Sequence, residues 1–470
     1  MSDEKVHLLN DTQTVTDASP SFMSMKSGAY KSYKRRYWVS AYQYRFYMLG
    51  VYCLLNGLNG LMWVSMSPIA STVKQAYEVG DFQINLIANL YLILFLPGMF
   101  LASYAFDRLG LRYGLIIGAT MQGVGAILKY FLNYGFWIVF VGQGFWAVAQ
   151  PLFIASPALV ATHWFNNKER TIAITIGGTS NMIGNAVGFF FPTIFVDANN
   201  DTNMDLARKQ IATALLVQGI IGLVLILLVV ATFQDKPKIP PASNAIVPRE
   251  RNLLGTYYQL VRNVEFIKLT ICFTSFNNII IVVLTLIDKF SQRYNFDTDD
   301  SGFFGTMIMV GGITGSFLFG AWLAKSKRYK TAIVGIGILT TVSVITLMFW
   351  FRTQNEIIVA FASAFLGFSS FPTLIVWYDF WSKVTFPLNE ATVGGLFQLP
   401  TQYVGFVNTI IWTSILNAWE GDKGVVWTFI FLIFWAIVGT TSAITVKKLT
   451  PKLLDRNERM SQVFEEPRFL

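Results

Sequence analysis

Three side chains that could hold a solute stand near the middles of long apolar stretches: Trp63, Gln150 and Gln402. An amide in hydrocarbon is costly unless it finds a partner, so each glutamine needs either a neighbouring helix or a ligand to satisfy it. The face of a tryptophan attracts a quaternary ammonium through its quadrupole, and a glutamine carbonyl or amide can hold a hydroxyl. Together they suit a small cation with a polar tail. Packing within a helical bundle for Trp63, and interhelical hydrogen bonds for the glutamines, remain open readings of the same residues.

Catalytic chemistry has no candidates. There are 2 histidines, His7 and His163, and 2 cysteines, Cys53 and Cys272, both cysteines inside apolar stretches. Neither a disulfide framework nor a metal cluster has the residues it needs, and no phosphate loop, zinc-protease motif or Ser-His-Asp spacing occurs. No enzyme activity, metal or cofactor is therefore expected. Between Tyr47 and Phe233 no acidic or basic residue falls near the middle of an apolar stretch. Proton-coupled carriers generally use an embedded carboxylate or histidine; the nearest candidates, His163, Asp288 and Asp379, lie at stretch ends. Facilitated diffusion or weak coupling is the expectation.

The elements that must position these side chains follow from composition. Of 470 residues, 53% are hydrophobic and 13% charged, too little polar surface to clothe soluble domains. The apolar residues fall in blocks of about 20, the length a helix needs to cross hydrocarbon. Windows of about 19 residues give twelve candidate spans: 46–72, 83–105, 112–132, 136–164, 170–195, 211–233, 265–288, 302–324, 331–351, 356–378, 391–415 and 425–446. The reading is an all-α membrane protein, twelve transmembrane helices in two six-helix halves. Its parts are a polar, disordered cytosolic tail (1–40), a first half (41–233), a proline- and charge-rich cytosolic linker (234–264), a second half (265–447) and a second tail (448–470).

With both tails inside, about 28 of the 36 Lys and Arg fall on the inner face. The net charge of +9 thus serves topology and some attraction to anionic lipid, not nucleic acid. Outer connectors carry acidic and asparagine-rich sequence, including the N-glycosylation sequon Asn200-Asp201-Thr202. No removable signal peptide precedes the first span. Two similar halves place a solute site near the midplane between them. The expected partners are a small-molecule solute and membrane lipid, and the chain is expected to act as a monomer.

The connector Asp107-Arg108-Leu109-Gly110-Leu111-Arg112 joins spans two and three. A glycine turn with an acid and two arginines resembles the conserved short loop of the major facilitator superfamily, which makes Asp107, Arg108, Gly110 and Arg112 gating candidates. The equivalent connector of the second half, Lys325 to Lys330, has lost the aspartate. A closer resemblance rests on Asn59-Gly60-Leu61-Met62-Trp63, Ser67-Pro68-Ile69, Gln75-Ala76-Tyr77, Ala149-Gln150 with Pro157, and Trp164-Phe165 with Glu169-Arg170. These are similar to the feline leukaemia virus subgroup C receptor-related family.

That resemblance implies a carrier of choline and ethanolamine, of haem in older assignments, or of pyridoxine in a lysosomal branch. It implies Trp63, Gln150 and Gln402 as cavity residues. The family's span-seven cage aromatic falls on Ile281 here, so Tyr378 or Trp377 would have to close the site. With two histidines, one in a tail and one at a span's end, haem held by axial ligation is disfavoured. Glu4-Lys5-Val6-His7-Leu8-Leu9 fits an acidic dileucine sorting signal, which leaves plasma membrane and lysosomal or vacuolar membrane both open. A non-transporting scaffold or receptor on the same fold is the rival from another class. Glycines at 177, 178, 184 and 188 of span five and 305, 311, 312, 315 and 320 of span eight let backbones approach closely; the superfamily resemblance implies that they form the interface on which the halves rock, and static tight packing is the other reading. Pro68, Pro97, Pro151, Pro157, Pro372 and Pro400 mark expected kinks or ends.

Overall fold

The computed structural model describes residues 42–66, 68–196, 204–241, 255, 258, 260–296, 298–384, 390–419 and 422–446. Both tails, the dileucine pattern, the sequon, much of the linker and the Asp288 side chain lie outside the described residues. Among the described residues every regular element is a helix. The first half contains α1 (Tyr44–Val64), α2 (Ala70–Tyr77), α3 (Asp81–Tyr104), α4 (Leu111–Tyr130), α5 (Trp137–Ile154), α6 (Pro157–Trp164), α7 (Arg170–Phe190) and α8 (Met204–Thr232). The second contains α9 (Val264–Arg293), α10 (Thr298–Ser326), α11 (Tyr329–Phe351), α12 (Glu356–Ser370), α13 (Pro372–Val384), α14 (Glu390–Ala418) and α15 (Lys423–Thr445).

Prolines divide what hydropathy alone reads as continuous. Pro68 lies between α1 and α2, Pro157 starts α6 and so splits the fourth span, and Pro372 starts α13 and splits the tenth. A proline lacks the N–H that an interior position must donate, and helix starts tolerate that loss. Pro97, Pro151 and Pro400 stay inside α3, α5 and α14. The Asp107 connector is a π-helical turn, Ala105–Leu109, closed by Gly110.

Among the described residues, ten helices or helix pairs are long and apolar enough to cross a bilayer. The other two predicted spans are α7 and α14, 21 and 29 residues long but interrupted by polar side chains: Thr175, Ser180, Asn181 and Asn185 in α7, Gln398, Thr401, Gln402 and Asn408 in α14. Counting these two would agree with the twelve spans expected from sequence, and the described helices form two bundles. In the first, α1 packs on α7, α3 on α5, and α4 on α5 and α8; in the second, α10 packs on α12, α9 on α14 and α15, and α11 on α12 and α15. The bundles meet where α7 runs against α10 and α3 against α14.

Spans five and eight do meet across the two halves, as expected, but most of their glycines pack within one half, in keeping with the tight-packing reading. A Cβ on Gly184 would come within 1.9 Å of the Gly57 carbonyl of α1, and one on Gly311 within 1.9 Å of the Ala364 carbonyl of α12. Gly188 and Gly315 likewise press on backbone of their own half. Gly178 and Gly320 do face across, against Ile375 and Thr175. Most of this glycine stripe therefore lets helices within one half approach closely, because without a hydrophobic drive in lipid close packing must supply the attraction. Gly184→Ala is expected to cost about 1–3 kcal/mol or more through overpacking, seen as a lower melting temperature in detergent. Gly50→Ala, where nothing lies within 4 Å of the new methyl, should leave melting unchanged.

Candidate functional site

Between the bundles lies a cavity enclosing about 770 Å³, counting the space open to solvent. Trp63, Gln150, Gln402 and Tyr378, read from sequence as solute contacts, all line it. Ile281 lines it as well, so an aliphatic side chain occupies the position where the resemblance implies an aromatic one. Trp377 does not reach the cavity wall: it is fully buried in the second bundle, 6.1 Å from the rings of both Phe273 and Phe380. Helical spacing explains this, since consecutive residues point about 100° apart and only Tyr378 can face the gap.

The wall has an aromatic side and an amide side. Trp63 stands edge-on to Tyr91 with centroids 5.0 Å apart, which fixes its plane while leaving it partly exposed. From α1 and α7, Asn56 donates to the Gly177 carbonyl at 2.9 Å and Asn181 donates to the Asn56 carbonyl at 3.0 Å, so these two amides hold the helices together. Three lining amides keep a buried oxygen without any hydrogen-bond partner: Gln150 Oε1, Gln402 Oε1 and Asn185 Oδ1. Every described lining residue is uncharged at neutral pH. A donor on a solute is what such oxygens need, because leaving them unpaired costs about 1–3 kcal/mol each.

At one end the cavity is closed by Tyr378. Its hydroxyl donates to the Ile154 carbonyl of the other half at 2.6 Å and accepts from Gln398 Nε2, while Gln402 Nε2 reaches Gln398 Oε1 at 3.5 Å. The Tyr378 hydroxyl is thereby committed to bridging the halves, and what it offers a solute is its ring.

Below Tyr378, at the end that carries the Asp107 connector and that the charge bias assigns to the cytosol, the halves are pinned by buried polar contacts. Arg170 pairs with Glu390 at 3.3 Å, with side-chain exposures of 5% and 2%, and Thr162 also donates to Glu390. Asp379 accepts from Thr171 at 2.9 Å and from Tyr329 at 2.6 Å, and Lys327 reaches the Thr171 hydroxyl. Asp379, an end-of-span charge by sequence, is fully buried here. Asp107 accepts from Thr392 of α14 at 3.3 Å. The conformation is one shut at this end.

Of the other gating candidates, Gly110 and Arg112 meet the end of α8 and Asp235 just beyond it. Gly110 adopts φ 89°, ψ 178°, and a Cβ there would come within 2.7 Å of Asp235 Oδ1. The Asp235 carboxylate accepts from the Arg112 backbone N–H at 3.2 Å, capping the positive start of α4, and the Arg112 guanidinium donates to the Val230 carbonyl. Arg108 is exposed. His163 sits at this end with Nδ1 3.2 Å from the Asp235 carbonyl, off the cavity wall. Sequence reading missed Asp235, Glu390, Gln398 and the three asparagines. A polar residue in a weakly hydrophobic span, as α7 and α14 are, is the signal that could have found Gln398, Asn181 and Asn185.

Breaking a buried ion pair by removing one partner costs about 3–5 kcal/mol, whereas an apolar pair of similar volume can be neutral. Arg170→Met is expected to loosen this end, so that a thiol reagent added from the cytosolic side labels a cysteine introduced for Ala155 faster. Adding Glu390→Met should bring the labelling rate back towards that of the parent.

The comparisons agree with this architecture. Residues 52–410 match the model of the Major Facilitator Superfamily. The mouse choline/ethanolamine transporter FLVCR1 is 26% identical over 422 residues, 86% of this chain and 75% of that protein. The human choline/ethanolamine transporter FLVCR2 is 25% identical over 394 residues, 82% of this chain and 74% of that protein. Among solved structures, the transporter FucP in the outward conformation aligns with a TM-score of 0.66 at 15% identity over 85% of this chain and 98% of its own. The proton:xylose symporter XylE aligns with a TM-score of 0.66 at 14% identity, over 89% and 99%. With two helical bundles around a central cavity and a family match over most of its length, the chain is an integral, multi-pass membrane transporter that belongs to the Major Facilitator Superfamily.

Proposed function

We propose that the chain moves a choline- or ethanolamine-like organic cation by alternating access, as facilitated diffusion. The observation that carries the reading is an uncharged cavity in which a partly exposed tryptophan stands beside amide oxygens that lack partners. A quaternary ammonium has no N–H to donate and is recognised through an aromatic face, while its hydroxyl end can donate to Gln150 or Gln402. The names of the relatives agree with that chemistry. The carboxylates Asp107, Asp379 and Glu390 sit in the closed end instead of the cavity wall, which supports transport without obligatory proton coupling.

In this reading the halves run over 41–233 and 265–447 with a linker at 234–264, and rock about the cavity. Binding of solute between Trp63 and the amides would offset the cost of opening the Arg170–Glu390 and Asp379 bridges. Asp107, Gly110 and Arg112 set how the first half's connector meets α14 and the linker. The site chemistry fits an organic solute better than haem held by histidine, because no histidine is among the described residues that line the cavity. A pyridoxine-type vitamin carrier of a lysosomal or vacuolar membrane is favoured by one feature: aliphatic Ile281 leaves the cavity with fewer aromatic faces for a cation and room for a flat neutral ring to stack on Trp63.

Radiolabelled choline uptake, with surface expression matched, separates these. Trp63→Ala is expected to raise the half-saturating choline concentration about tenfold or more, the equivalent of losing a desolvated cation–π contact of about 2 kcal/mol. Trp63→Phe should lose less. Uptake blocked by excess pyridoxine, or absent altogether, would favour the vitamin carrier or the scaffold. Uptake that collapses when a proton gradient is dissipated at fixed membrane potential would end the facilitated-diffusion reading.

A further inference from the structure

The second half's side of the cavity is walled with hydrocarbon that the contacts proposed for choline do not use. α9 turns Ile280, Ile281 and Leu284 to the cavity, positions about one turn apart that share a face. Met309 of α10, and Phe371 and Leu374 at the α12–α13 break, extend this wall. Phe371 packs against Gly312, one turn along α10 from Met309, which joins the two elements. Ile281 is set against α14: a Cβ on Gly405, one turn beyond Gln402, would come within 2.9 Å of its Cδ1. The apolar wall therefore begins where the amide side ends. Four of the six side chains are packed nearly flush, whereas Leu284 and Leu374 are half-buried and offer the more open hydrocarbon.

We infer that this wall is a subsite for an apolar substituent on the ammonium, so that the solutes include amino alcohols whose nitrogen carries a short alkyl arm. This rests on the organic-cation reading and deepens it. The nitrogen is tetrahedral: with one side on the Trp63 ring of the first half and its hydroxyl arm on the amides, a remaining substituent points across the cavity to the second half. Ile280 to Leu284 covers about 6 Å along α9, the reach of a butyl chain. The cavity's 770 Å³ or so, counting the space open to solvent, falls within the roughly 300–1,000 Å³ of pockets that hold drug-sized ligands, and choline fills only part of it. Hydrocarbon that faces water in the empty site gains free energy when an alkyl arm covers it, and a methyl group covers little. The flexible thioether of Met309 lets the wall adapt to arms of different shape.

The test measures radiolabelled choline uptake in cells expressing the full chain, competed by unlabelled choline and by its analogue with one N-methyl replaced by N-butyl. Each added methylene strengthens binding up to about fourfold when fully buried, and ordering the arm offsets part of this, so the analogue's inhibition constant is expected about tenfold below that of choline. Leu284→Gln and Leu374→Gln, which keep bulk but put an amide in the wall, should each shrink that gain to about threefold or less. Leu284→Met, which keeps the hydrocarbon, should hold the parent ratio. The ratio is independent of how much protein reaches the membrane, and partition of the analogue into lipid is the same for every variant. An analogue no stronger than choline in the parent, or a gain undiminished in the glutamine variants, would overturn the subsite. Should one glutamine variant fail to reach the membrane, the other is read by the same criterion. Failure of the parent to take up choline sinks the organic-cation reading and this one with it, an outcome distinct from a parent that takes up choline yet gains nothing from the butyl arm.

Discussion

A polar group inside hydrocarbon must be satisfied from within the protein, and this constraint organises the molecule. It makes every described regular element a helix, since a helix is the element that closes its own backbone hydrogen bonds. It also decides which helices lie where. The spans with the weakest apolar signal, α7 and α14, carry the amides and hydroxyls, and both line the central cavity rather than facing lipid on all sides. Within the first bundle the constraint produces an inventory of mutual partners: Asn56 with Gly177 and Asn181, Asn59 with Gln122, Tyr52 with the Phe153 carbonyl. Other buried polar atoms, Asn59 Oδ1 and Gln218 Oε1 among them, also lack a partner, and what sets Gln150, Gln402 and Asn185 apart is that their unpaired oxygens share the wall of one cavity.

The same constraint explains why the closed end is built from charges. Arg170 and Glu390 come from α7 and α14, separated by 220 positions in the chain, and are buried only because the halves are together. A bridge that is dry when shut and wet when open exchanges partner for water as the halves part, so its net free energy can stay small while its geometry stays demanding. Asp379 repeats the arrangement with Thr171 and Tyr329, and Asp107 with Thr392. Charged groups suit such a latch better than apolar ones, which would incur a large hydrophobic cost each time they met water.

Much of this was legible in the sequence, and the reasons for success and failure are physical. Block length and the charge bias reveal spanning helices because bilayer thickness and insertion act directly on composition. Trp63, Gln150 and Gln402 were singled out by the family resemblance, with their mid-span position as support, and they line one cavity. The helix breaks within spans one, four and ten fall at Pro68, Pro157 and Pro372, prolines expected to mark kinks or ends, although hydropathy windows average across them. Which way a glycine faces cannot be read from its spacing: Gly184 and Gly311 press on their own half, Gly178 and Gly320 on the other. The gate partners were invisible for a different reason. Glu390 and Asp235 look like ordinary loop and helix-end acids, and only the fold brings them to Arg170 and to the start of α4.

The cavity and the latch are not separate devices, because Tyr378 belongs to both. Its ring lines the cavity while its hydroxyl spans the halves to Ile154 and is held by Gln398, the neighbour of Gln402 one turn along α14. A donor on a solute that engages Gln402 Oε1 therefore acts on an amide whose other end is tied, through Gln398, to the bridge that keeps the halves shut. Parting the halves requires Tyr378 to leave the Ile154 carbonyl, and a carbonyl so exposed needs water or another donor at once. Closure at this end, shared with the Arg170–Glu390, Thr171–Asp379 and Thr392–Asp107 contacts, and the shape of the amide side of the cavity thus have one short chain of hydrogen bonds in common.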